Sequence, residues 1–169
     1  MKAINVLMVC MGNICRSPTA HGVFAKKLFD RGLSMRVQVD SAGTYAGHQG
    51  EPPDRRSRQA AAKRGYDLEP LRSRPLRTTD FEIADFIIVM DDYNLQEVNK
   101  RAAEAGYAGT VAKLLDFAPD ARVRGQDVPD PYYGGAGGFE KVLDLVEPGC
   151  DGLIEHLIAH GFKSSTHSR

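Results

Sequence analysis

Four short apolar runs, at 4–9, 36–40, 86–90 and 111–115, constrain this chain more than any other feature. They are rich in branched residues and lie between stretches with helical spacing. Short apolar strands separated by helical patterns form a parallel sheet wound on both faces. The first helical stretch, 18–31, stripes Ala20, Val23, Phe24 and Leu28 and stops at Gly32. A second, over 54–64, is basic and ends at Gly65, with Arg55, Arg56 and Arg58 on a solvated face. Thr78 and Thr79 cap a short turn through Phe81, and a third helix runs from Asp91 to Ala105 with Leu95, Val98 and Ala102 inward. Phe139, Val142, Val146, Cys150, Leu153 and Leu157 keep one helical phase through Pro148-Gly149, which predicts one kinked helix with Cys150 in the core. The fold class is therefore α/β, a three-layer doubly wound sheet of four parallel strands with helices on both faces. The domain spans 1–161, and 162–169 is a polar tail.

Parallel sheets of this kind bind ligands at the carboxyl ends of their strands, where Cys10, Ser41 and Asp91 all fall. The first of these edges carries the chemistry. The run Val6-Leu7-Met8-Val9 ends in Cys10, a short loop follows to Arg16, and Ser17-Pro18 is a helix-start signal. N–H groups of the loop and of the helix start converge there as an anion site, and the helix dipole adds positive charge. A thiol in that field is expected to ionise readily. Arg16 adds a planar fork that can hold two oxygens of a phosphate. Nucleophile and oxyanion cradle share one loop, which suits attack of sulfur on phosphorus.

Acidic and basic residues number 22 each, so no overall field favours nucleic acid or an anionic membrane. No apolar run reaches membrane length, the amino terminus has no signal-peptide pattern, and three cysteines make no disulfide framework. No Cys/His set has the spacing of a zinc site. These features lead us to expect a cytoplasmic chain with free thiols and no metal or cofactor. From 116 to 138 no element is evident, and a loop that long in a compact domain is usually functional.

The string Cys10-Met11-Gly12-Asn13-Ile14-Cys15-Arg16-Ser17-Pro18 resembles the signature of the low-molecular-weight protein tyrosine phosphatases, and Val128-Pro129-Asp130-Pro131-Tyr132-Tyr133-Gly134 is its second piece. The resemblance covers nearly the whole chain and implies the strand order 2-1-3-4. It makes Cys10 the nucleophile, Arg16 the phosphate clamp and Asp130 the general acid and base. Met11, Gly12, Asn13, Ile14, Cys15 and Ser17 complete the phosphate loop. It further implies that Ser41 hydrogen-bonds Asn13, and that Tyr132 and Tyr133 wall a slot deep enough for phosphotyrosine. Cys15 has two readings, a small packing residue or a disulfide partner that spares Cys10 from irreversible oxidation. One departure stands out. Gly47 occupies a position where many relatives carry a rim aromatic, leaving Tyr45 as the candidate substitute and His48 with two readings, a residue that reaches the rim or a solvated histidine.

Asp130 lies between two prolines that restrict its backbone, so its carboxyl is presented with little entropy left to lose. Beside an anionic thiolate and phosphate it is expected to hold the proton that an acid must donate. The partners so implied are phosphotyrosine-bearing proteins, a tyrosine kinase among the candidates, acted on by a monomer. A thioredoxin-coupled arsenate reductase needs further cysteines after the third strand, and none occurs between Asp91 and Phe139. A protein arginine phosphatase tends to carry threonine where Ile14 stands. A non-catalytic phosphate-binding module would have lost the cysteine, the arginine or the acid.

Overall fold

A computed structural model describes residues 2–132, 134, 135 and 137–161. Four strands, β1 (Ile4–Cys10), β2 (Val37–Gly43), β3 (Phe86–Val89) and β4 (Thr110–Lys113), form one parallel sheet in the order β2-β1-β3-β4. β1 is central, and its alternation sorts the core. Val6, Met8 and Cys10 face one layer with the apolar stripe of α1 (Arg16–Asp30), Ala60 and Ala61 of α2 (Arg55–Lys63), and α5 (Gly137–His156). Leu7 and Val9 face the other, with Val98 of α4 (Asp92–Ala105) and Phe81 of the single-turn α3 (Asp80–Ile83). Burial on both faces is why β1 and β3 read as continuous apolar runs.

Several boundaries differ from the sequence reading: β4 ends at Lys113 rather than Leu115, because Leu114–Phe117 closes into a 3₁₀ turn, and two further differences lie nearer the site. β2 runs on to Gly43 because Ser41, Ala42 and Gly43 pair with Met8, Val9 and Cys10. Gly43 also bridges Pro75 on its free edge. A Cβ on Gly43 would lie 2.6 Å from the Met11 carbonyl oxygen, so glycine permits this close approach of two backbones. Helix α1 starts at Arg16 rather than at Pro18, with Cys15 as its cap residue. Ser17 is therefore no N-cap, and its hydroxyl points into the loop instead. Asp91 caps α4 as expected, accepting from the Asn94 N–H at 2.8 Å, and Gly106 closes that helix with φ 66°.

α5 runs unbroken through Pro148, as its phase predicts, and passes into a π-type turn at Leu157–Gly161. Cys150 is fully buried in the core. Arg64, just past α2, ties that helix to α5 through Glu140, Asp144 and Glu147. The polar tail, 162–169, lies outside the described residues.

Candidate active site

Cys10 ends β1 with its side chain almost wholly buried, and the chain then turns at Asn13, whose φ of 55° is the single positive value among the described non-glycine residues. Asparagine tolerates that geometry because its short amide can bond locally. The Asn13 N–H donates to Cys10 Sγ at 3.3 Å, and its side-chain Nδ2 donates to Ser17 Oγ at 2.8 Å. Ser17 Oγ lies 3.1 Å from the same sulfur. The Asn13 N–H and the Ser17 hydroxyl thus both lie within hydrogen-bond distance of Sγ.

The loop is braced from behind by a segment that gives no signal in the sequence. Ser73 Oγ donates to the Gly12 carbonyl at 3.0 Å, and the Arg74 N–H donates to Asn13 Oδ1 at 3.0 Å. The bond from Ser41 to Asn13 that the resemblance implies is not made. Ser41 Oγ pairs with His21 Nδ1 at 3.0 Å, because both ends of the Asn13 amide are already occupied by Ser17 and Arg74. Burial lowers the pKa of His21, with Asp40 opposing.

Arg16 is buried, its side chain 4% exposed. One guanidinium nitrogen donates to Asp91 Oδ2 at 2.5 Å and to the Val128 carbonyl at 3.0 Å, and the other lies 3.7 Å from Asp130 Oδ2. Burial works against its charge, but Cys10 and then Asp91 outweigh that cost and raise its pKa. Asp91 thus joins two roles, capping α4 with one oxygen and orienting Arg16 with the other. The sequence placed Asp91 on this edge but assigned it only the cap.

Asp130 is about a third exposed and accepts from the Tyr132 N–H at 3.0 Å. It closes a slot of about 50 Å³ lined by Cys10, Met11, Gly12, Ile14, Cys15, Arg16, His48 and Tyr132. The structure thus brings Cys10, Arg16 and Asp130 to one slot. Tyr132 forms part of its wall, and Tyr133 lies outside the described residues.

Of the two readings of His48, the structure supports the one at the rim over the solvated one. His48 lies over Gly12, where an added Cβ would come 3.1 Å from its ring, and it bonds Glu51 at 3.2 Å. Tyr45 fills the space above Gly47, where a Cβ would meet its ring at 2.1 Å, and it packs edge-on to His48. The rings that line the slot are those of His48 and Tyr132, and Tyr45 packs behind His48 without lining it.

Arg56 and Arg58 are not simply solvated either. Arg56 donates to the Tyr132 carbonyl at 3.2 Å and lies over the Tyr132 and Phe139 rings, while Arg58 bonds the Pro53 carbonyl and Glu69. Cys15 is buried beside Asp54, which together push its thiol up to about 12. A larger cleft of about 470 Å³ opens between β1, β2 and α3, but it carries no nucleophile, so size does not locate the chemistry.

A doubly wound α/β sheet whose central strand delivers a cysteine into an anion-sized loop, with a buried arginine opposite, defines a phosphoryl-binding enzyme fold. The model of the low molecular weight phosphotyrosine protein phosphatase family matches residues 5–162. A low molecular weight protein-tyrosine-phosphatase of Streptomyces coelicolor is 39% identical over 149 residues, covering 88% of this chain and 90% of that protein. The crystal structure of a protein tyrosine phosphatase from Entamoeba histolytica with Hepes in the active site superposes with a TM-score of 0.84 at 37% identity, covering 93% of this chain and 98% of that one. A Drosophila arginine phosphatase superposes with a TM-score of 0.83 at 28% identity, covering 89% of this chain and 96% of that one. The chain belongs to the low molecular weight protein-tyrosine-phosphatase family, and it is a phosphatase.

Proposed function

We propose that this enzyme hydrolyses phosphotyrosine in proteins through a phosphocysteine intermediate. The observation that carries the reading is the convergence of Cys10, Arg16 and Asp130 on one slot, with the Asn13 N–H aimed at the sulfur. The phosphoryl group enters as a dianion, its oxygens held by Arg16 and by loop N–H groups from Met11 to Ser17. The Cys10 thiolate attacks phosphorus in line with the ester oxygen. As the P–O bond breaks, Asp130 gives its proton to the leaving phenolate, and phosphocysteine forms. Water then attacks phosphorus from the vacated side, Asp130 takes its proton, and the S–P bond breaks to return the thiolate and release phosphate.

The pairing of Arg16 with Asp91 supports this sequence, because a clamp fixed before substrate arrives needs no reorganisation in the transition state. Tyr132, His48 and Ile14 supply flat and apolar walls suited to an aryl ring. A phosphoserine, being shorter, would leave its phosphorus out of reach of a sulfur at the bottom of such a slot.

The test is phosphate release from a phosphotyrosine peptide, a phosphoserine peptide and phosphoarginine, each with excess chelator. Turnover of phosphotyrosine alone is expected. Dominant turnover of phosphoarginine would keep the sulfur chemistry and overturn the substrate. No turnover of any of the three would overturn the reading.

A further inference from the structure

Beyond the catalytic slot, on the side away from α2, a second cleft of about 470 Å³ runs past Met11 and Asp130 to the first turn of α4. It shares Met11, Arg16 and Asp130 with the slot, so the two are contiguous. Its apolar faces are exposed: the Met11 side chain is half exposed, Tyr93 is 84% exposed, and Pro129, which also lines the cleft, is exposed.

The charge along the cleft has one sign. Asp127 and Asp92 share a single cation, Lys113, at 3.0 and 2.9 Å, which leaves one negative charge uncompensated at the far end. Asp127 uses one oxygen, Oδ1, for both Lys113 and the Asp92 N–H, and the residue is 43% exposed. Arg16, the one cation lining the cleft among the described residues, is buried and already bonded to Asp91. On the opposite flank Arg56, ion-paired with Asp54, stands beside Tyr132, and Arg55 next to it in sequence is exposed. The carboxylates Asp127 and Asp92 therefore lie on the α4 side of the mouth, and Arg56 on the α2 side.

We infer that the cleft beside Tyr93 and Asp127 binds the polypeptide flank of the phosphotyrosine and selects a cationic side chain there, arginine above all. An aliphatic stem covers Met11 and Pro129, while the guanidinium stacks on the Tyr93 ring and reaches the Asp127 carboxylate. An acidic side chain at the same position meets Asp127 and Asp92 and is disfavoured. The inference rests on the function proposed above and names the sequence class of its substrate.

The experiment is a panel of phosphotyrosine peptides with arginine, alanine or glutamate placed singly at three positions on either side. Each kcat/KM is divided by that for p-nitrophenyl phosphate on the same enzyme, so that general damage in a variant cancels. In the wild type, arginine at one position or two adjacent positions is expected to exceed alanine by about threefold to tenfold, the yield of one exposed ion pair with one exposed cation–π contact. Glutamate there should fall below alanine. Asp127→Asn should abolish the preference and Tyr93→Ala should reduce it, with the change appearing in KM.

A flat wild-type panel, or an arginine preference untouched by both substitutions, would overturn the inference while aryl phosphate turnover leaves the proposed function standing. Failure of the wild type to hydrolyse p-nitrophenyl phosphate would overturn both.

Discussion

The loop from Cys10 to Ser17 and the loop from Asp127 to Tyr132 border the same slot and are built in opposite ways. In the first, Asn13, Arg16 and Ser17 are all buried; Ser17 is bonded to Asn13 within the loop, and Asn13 and Arg16 are tied to Arg74 and Asp91 from elsewhere in the chain. In the second, Asp130 is open to solvent, held by its own Tyr132 N–H and a 3.7 Å approach to Arg16. Oxygens on a trigonal-bipyramidal phosphorus need donors fixed in advance, so their loop is tied down and kept dry. An acid that must meet a leaving group and later a water needs an open approach, so its loop borrows stiffness from Pro129 and Pro131 instead.

Substitutions break this comparison at different points. Cys10→Ser should lower phosphotyrosine turnover by roughly ten-thousandfold to a millionfold, the usual cost of losing a covalent nucleophile, measured as steady-state kcat. Asp130→Ala should cost about a hundredfold to ten-thousandfold on a substrate with a poor leaving group. With p-nitrophenyl phosphate the formation of phosphocysteine should be far less affected, since that phenolate departs without a proton. A loss that did not depend on the leaving group would mean that the open loop works by shape, as the buried one does.

Asn13→Ala should reduce kcat by about a hundredfold, the scale of an ångström-level misplacement. It should also destabilise the fold by about 1–3 kcal/mol, since alanine at φ 55° is strained and leaves partners unpaired. Urea melts check the second figure, and a melt unchanged from wild type would show that the loop is less braced than its bonds imply.

Thiol labelling gives a graded contrast within the slot. Burial and Asp54 push Cys15 up to about 12, and burial pushes Cys150 higher, so neither supplies thiolate near neutral pH. Iodoacetamide should label Cys10 alone, and inorganic phosphate should slow that labelling; peptide mapping reads both. The smallest effect is expected behind the loop. Burial holds the folded pKa of His21 below its unfolded value, against Asp40, so the unfolded chain binds the proton first as pH falls. Its contribution to stability is full above the histidine range and is lost as pH drops through about 6.5. His21→Gln should make Tm less pH-dependent between about pH 7.5 and 5.5.

The sheet was legible because β1 and β3 are buried on both faces and α1, α4 and α5 keep helical phase. Strand and helix ends were less so. Gly43 extends β2 through contacts with Met11 and Pro75, and such partners lie far along the chain. Within the site, Cys10, Arg16 and Asp130 were visible as residue types in telling local settings. Ser73, Arg74 and the second role of Asp91 were not, because a backbone N–H or a spare carboxylate oxygen leaves no mark in a sequence. Ser41 shows the opposite error, since a partner inferred from resemblance gave way to His21 once Asn13 was satisfied elsewhere.

The central claim is that phosphorus passes through the Cys10 sulfur. The most direct measurement uses Asp130→Ala with p-nitrophenyl phosphate, stopped by a denaturing quench within the first turnover and mapped by mass spectrometry. Loss of the base slows hydrolysis of the intermediate while the easy leaving group still allows its formation. The account predicts a burst of p-nitrophenol with one phosphoryl group on the peptide that contains Cys10. A burst with an unmodified Cys10, or a phosphoryl group on any other residue, would contradict it.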